Sequence, residues 1–131
     1  MSQLAIDIWR SFRSLPAWVQ VWMAAILMPV NLLSICFLHE PGAILIAILA
    51  IGGMLPNLGI IIFERGLSKM MSIPHLLPWT ALVVIIILDR PEAGSLYDQY
   101  LLALAIVNCV SLAFDYPDSI KWLKGDRKVA G

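Results

Sequence analysis

Four apolar runs separated by short breaks constrain this chain more than any other feature. A hydrocarbon core of about 30 Å is crossed by about 20 apolar residues in helical form. Residues 17–38, 43–63, 70–88 and 96–114 approach that length. Hydrophobic residues make up 60% of the 131 positions and charged residues 14%, with a mean hydropathy of +0.85. Soluble domains average about 45–50% apolar and about 25% charged, and a chain this short could not bury the excess. The expectation is an all-α integral membrane protein: a single four-transmembrane-helix bundle flanked by N- and C-terminal interfacial amphipathic helices.

The breaks are punctuated by helix-stopping residues. His39-Glu40-Pro41-Gly42 separates the first pair of runs, and residues 89–94 separate the last pair. Both contain Pro and Gly, and connections this short join antiparallel neighbours. The middle connection, residues 64–74, is longer and carries charge. Arg10, Arg13, Arg65, Lys69, Lys121, Lys124, Arg127 and Lys128 fall on one side of such a bundle, and Arg90 alone falls on the other. Basic residues favour the cytoplasmic side, so both termini are expected there. Trp9, Trp18, Trp22, Trp79 and Trp122 are expected at that interface, with Tyr97 and Tyr100 at the opposite one. Short loops and the absence of any Asn-X-Ser/Thr string suit a bacterial inner membrane.

The flanks read as interfacial. Leu4, Ile8, Phe12 and Leu15 recur at helical spacing, with Asp7, Arg10, Ser11 and Ser14 on the other side. This segment, residues 1–15, mixes charge with apolar residues and precedes no small-residue cleavage site, so it is expected to stay as an anchor rather than act as a signal peptide. In the tail, residues 116–131, Asp118 or Ser119 is expected to cap a short helix bearing Ile120, Trp122 and Leu123. Gly125 is expected to close it, leaving residues 126–131 frayed.

Polar residues inside the runs are the candidate functional groups. Asn31, Asn57 and Asn108 lie near the middle of three runs. An unpaired amide in hydrocarbon is costly, so all three should face protein or water. Pro29 and Pro56 each remove a helical hydrogen bond, freeing the carbonyls of Ala25 and Gly52. Gly52, Gly53 and Pro56 mark the second run as the stronger helix break, which serves either packing or a transport site. Residues 30–37 and 107–114 share Val, Asn, Ser and Phe at matching positions. Asn31 with Ser34, and Asn108 with Ser111, each share a helix face. Two such faces are able to hydrogen-bond across an interface.

The remaining chemistry is sparse. Nine basic and nine acidic residues cancel, and no motif points to nucleic acid. Cys36 and Cys109 lie within apolar runs without a CxxC partner. His39-Glu40 is not continued into HExxH, and GxSxG, GxGxxG and the P-loop are absent. His39 and His75 are expected on opposite faces. No catalytic set, metal site or cofactor is therefore expected. Glu64, Arg65, Lys69 and His75 form a candidate cytoplasmic loop surface.

These features fit a non-enzymatic accessory, assembly or scaffold subunit of a larger membrane complex, with the lipid bilayer, other membrane subunits or further copies of itself as partners. The alternative is a homo-oligomeric channel or small transporter with a path lined by Asn31, Asn57 and Asn108, joined by Ser34 and Ser111. A third reading, lipid chemistry at the interface, rests on His75, Glu64 and Arg65.

Overall fold

The computed structural model describes residues 2–89 and 93–131. The Arg90-Pro91-Glu92 part of the last break lies outside them. Among the described residues the chain is all-helical, with four helices long and apolar enough to cross a membrane: Ala17–Phe37, Ala43–Glu64, Lys69–Leu88 and Leu96–Leu123. These are spans 1 to 4 below.

Helix α1 (Gln3–Ser14) starts where the Ser2 hydroxyl accepts the Ala5 N–H. Span 1 changes pitch along its length. After α2 (Ala17–Val21) it widens into a π segment, Trp22–Leu27, where Met28 N–H reaches the Met23 carbonyl. The widening falls just before Pro29, whose missing N–H already breaks the α ladder. The span returns to α3 (Met28–Leu32) and tightens to a 3₁₀ segment, Leu33–Phe37. Gly42, at φ +75°, then reverses the chain.

Span 2 breaks in its middle, between α4 (Ala43–Gly52) and α5 (Leu55–Glu64). Met54 N–H turns to the Ile51 carbonyl instead of that of Ala50. The Ala50 carbonyl is taken by the Trp79 indole N–H at 3.0 Å. A Cβ on Gly53 would stand 2.4 Å from Trp79 Nε1, so glycine is required for the indole to sit there. The carbonyl recruited at the break thus belongs to Ala50, two residues before Gly52, because the ladder slips at Met54.

Helix α6 (Ile73–Leu88) follows a 3₁₀ turn, Lys69–Ser72, and packs most extensively against α7 (Leu96–Leu123). The core joins Ala43, Ile46 and Ala50 of α4 to Trp79, Leu82 and Ile86 of α6 and to Leu101 and Leu104 of α7. Small residues on α4 let its backbone approach α6 closely. Trp79 is fully buried in this core, not at an interface; it alone of the five tryptophans is. Cys36 and Cys109 are both exposed on the outside of the bundle rather than packed within it.

Two expectations about the tail give way. The last helix does not stop near Phe114 and restart; α7 runs unbroken through Pro117 to Leu123. A single proline removes one hydrogen bond, and the remaining ladder carries the helix past it. Nor is the C-terminus frayed. Ala130 N–H donates to the Leu67 carbonyl at 2.8 Å, Val129 bridges Ser68, and Lys69 pairs with Asp126 at 3.1 Å.

Helix α1 joins the same assembly through its polar side. Asp7 Oδ2 receives Arg65 Nε at 2.8 Å, and the buried Ser11 hydroxyl accepts Leu67 N–H at 2.9 Å. Arg65 is the one described non-glycine residue in the left-handed region, at φ 57°. Glycine would suit that position, but Gly66 beside it is needed for packing: a Cβ there would lie 2.6 Å from Ser11 Oγ and from Val129 Cγ1. Helix α1, residues 65–69 and the tail therefore gather at one end of the bundle, and the Gly42 reversal lies at the other.

Candidate binding site

Spans 1 and 2 pack together in the halves joined by the Gly42 turn. Towards the α1 end they diverge. The divergence encloses a cavity of about 750 Å³. Trp18, Trp22 and Met23 line one side, Leu55, Leu58 and Ile61 another, and Lys128, Val129 and Ala130 of the tail also line it.

A continuous row of buried polar side chains stands at the inner face of this cavity. His75 Nδ1 lies 3.0 Å from Asp115 Oδ2, and the Ser111 hydroxyl donates to the same oxygen at 3.0 Å. His75 Nε2 lies 2.9 Å from Asn57 Nδ2. His75 is 8% exposed, Asn57 7% and Asp115 7%. The imidazole lies flat on the Trp79 indole, with centroids 3.9 Å apart and planes 11° apart. Trp79 is itself locked by its bond to Ala50. The imidazole thus has its plane held by stacking and both nitrogens held by polar partners.

For a neutral imidazole the placed Asn57 amide selects the tautomer. With Asn57 Nδ2 at Nε2, the ring proton sits on Nδ1 towards Asp115, and Nε2 presents a lone pair to the Asn57 N–H. An Asp–His pair of this kind orients a base in hydrolases, but there the far nitrogen faces a nucleophile. Here it faces a carboxamide nitrogen, which is none. Ser111 points its hydroxyl at the acid, on the wrong side of the imidazole.

The other candidate residues fall elsewhere. Asn31 and Asn108 face each other and exchange both amide bonds, Asn31 Nδ2 to Asn108 Oδ1 at 2.8 Å and Asn108 Nδ2 to Asn31 Oδ1 at 3.0 Å. Asn31 Nδ2 also reaches the Leu27 carbonyl at 2.9 Å. Both residues are 0% exposed. Ser34 bonds back to the Asn31 carbonyl, whereas Ser111 joins Asp115. The matching segments of spans 1 and 4 therefore share one contact and differ in the other. Pro29 is half-buried in span 1, and Pro56 is exposed at the start of α5.

Of the expected loop surface, Glu64, Arg65 and Lys69 stay at the α1 end and are each engaged by a neighbour. Glu64 accepts from the Ser68 hydroxyl at 3.3 Å, Arg65 engages Asp7, and Lys69 engages Asp126. His75 leaves that group altogether and turns inward. Among the described residues, no three His, Cys, Asp or Glu side chains gather to hold a metal ion.

Asp115 and Trp79 are the site residues that sequence reasoning passed over. Asp115 directly follows the fourth apolar run, residues 96–114, yet α7 continues for two turns beyond it and keeps it inside. Each has a local signal: Asp115 stands four residues after Ser111, and Trp79 four after His75, the spacing at which helical side chains meet.

The chain matches no protein-family profile, no curated protein and no solved structure. Its class is defined by its own architecture: four apolar helices that fit a multi-pass transmembrane protein.

Proposed function

We propose that this chain is a small, non-enzymatic membrane protein that holds one amphipathic molecule in the cleft between spans 1 and 2. The carrying observation is the cavity of about 750 Å³, apolar along its walls and polar along one buried row. Small-molecule sites commonly enclose about 300–1,000 Å³, with mostly apolar linings and a few placed polar groups. Trp18, Met28, Leu55 and Leu58 line the cavity and are also exposed on the bundle's outer surface. In a bilayer that surface meets acyl chains, which gives an apolar ligand a lateral route.

The orientation we propose has both termini cytoplasmic. Its support is the clustering of α1, residues 65–69 and the tail at one end, which brings eight basic residues to one side. A bacterial inner membrane suits this charge bias. In this setting the chain serves a larger membrane assembly as an accessory subunit that carries the ligand, its apolar outer face meeting the other subunits. A path lined by the three asparagines has less support, because Asn31 and Asn108 satisfy each other and Asn57 belongs to a separate row.

Native mass spectrometry of the full chain released from nanodiscs tests the binding reading. Wild-type protein should retain one amphiphile from added membrane lipid extract. Leu58→Trp, which fills the cleft from an exposed position, should lose it. Equal retention by both proteins, or none by either, would overturn the proposal.

A further inference from the structure

Asn57 carries information about what the cavity accepts. Its amide nitrogen is committed to His75 Nε2 at 2.9 Å. Its amide oxygen is buried and has no hydrogen-bond partner. Buried polar atoms are paired in the great majority of cases, and an orphan calls for an explanation. Asn57 lines the cavity and is 93% buried, from its 7% exposure.

The direction of every bond in the row leads to this atom. Ser111 donates to Asp115, and His75 Nδ1 lies 3.0 Å from the same oxygen, where a neutral imidazole with its proton on Nδ1 donates as well. His75, having spent its proton on the acid, can only accept at Nε2. Asn57 must then donate to it, and so its oxygen is the end facing away from His75. Against a neutral imidazole, the state taken for His75, reversing the amide would place two acceptors, the carbonyl oxygen and the imidazole lone pair, 2.9 Å apart. The row therefore ends in an acceptor that nothing in the described protein satisfies. The oxygen is sealed as it stands, so binding at this atom requires the Asn57 amide to turn about its soft terminal torsion.

We infer that the ligand carries a hydrogen-bond donor on its head group, a hydroxyl in the simplest case, and places it on Asn57 Oδ1. This rests on the cavity-binding reading and narrows it to a class: long-chain or polycyclic alcohols and their relatives. Ethers and esters lack the donor. A carboxylate head would offer Asn57 a second acceptor rather than a donor. The apolar walls take the ligand's hydrocarbon part, and Trp22, Leu55 and Leu58 contact it along its length.

The test compares hexadecanol, its methyl ether and hexadecanoate in competition for the full chain in nanodiscs, read by native mass spectrometry. A single neutral hydrogen bond to a buried acceptor corresponds to roughly tenfold in affinity. Wild type should retain the alcohol about tenfold over the ether. Asn57→Leu should bind alcohol and ether alike, because the acceptor is gone while the apolar walls remain. Equal retention of alcohol and ether by wild type would overturn the head-group inference and leave the cavity reading standing. Retention of none of the three would overturn the cavity reading as well. The wild-type comparison decides the inference even if Asn57→Leu folds poorly.

Discussion

Replacing one asparagine of the Asn31–Asn108 pair should be more damaging than replacing both. The two amides exchange hydrogen bonds at 2.8 and 3.0 Å and are sealed from solvent. Asn31→Leu removes both bonds. Interhelical hydrogen bonds in membrane proteins average about 0.6 kcal/mol each, which sets a floor of about 1.2 kcal/mol. The surviving Asn108 is then left with a buried donor and acceptor, adding about 1–3 kcal/mol. Each single variant should thus lose about 2–4 kcal/mol. In Asn31→Leu/Asn108→Leu no polar group is stranded, and apolar contact replaces the pair. The double variant should cost about as much as one single variant or less, a coupling of at least about 2 kcal/mol. Reversible unfolding in mixed micelles, followed by tryptophan fluorescence, measures all four proteins. Additive losses would refute the reasoning. So would single variants with unchanged stability, because an amide facing a water-filled path is hydrated when its partner is removed.

Other residues give sharper local tests. Gly53→Ala should destabilise by about 1–3 kcal/mol, since its Cβ displaces the Trp79 indole. Gly52→Ala, with open space around it, should be neutral or stabilising by up to about 1 kcal/mol in the same micelle unfolding assay. Gly66→Ala should push Ser11 and Val129 aside and raise hydrogen exchange in residues 126–131 and α1 together, leaving spans 3 and 4 protected. Acid should loosen the same end. Asp7, through Gln3 and then Arg65, and Asp126, through Lys69, both have carboxyls held below the ordinary value of 3.8. A depressed carboxyl stabilises the fold above its unfolded value and ceases to do so as pH falls through its folded one. Proteolysis of the tail and α1 should therefore be flat near neutrality and rise below pH 3.8. An increase already at pH 6 would contradict this assignment.

The four spans were legible because hydropathy is a local property, read residue by residue. The break in span 2 was legible for the same reason: Gly53 and Pro56 act on their own backbone. The site was legible only in fragments. Asn57 stood out as an amide in an apolar run, and His75 as one of two histidines, but eighteen positions separate them. Nothing local states that a helix break turns one toward the other. His75 was grouped with the charged middle connection because it follows that segment in sequence. Its helix in fact begins at Ile73, and the first turn of α6 already faces the core. Asp115 fell just outside the fourth run because a span was counted at about 20 residues. Helix α7 spends 28, so the count ended too early. The docking of α1 and the tail on residues 65–69 was hidden for a related reason. Polar faces pointing at other polar faces look the same in sequence as polar faces pointing at water.

The central claim is that the cleft between spans 1 and 2 holds an amphiphile. Photocrosslinking with a diazirine-bearing long-chain alcohol in nanodiscs, followed by peptide mapping, tests it most directly. The account predicts label concentrated on cleft residues such as Trp22, Met23, Leu55 and Leu58, and competed away by excess unlabelled alcohol. Label spread evenly over outward-facing residues such as Ile44, Ile48 and Ile106, and unaffected by competitor, would contradict it.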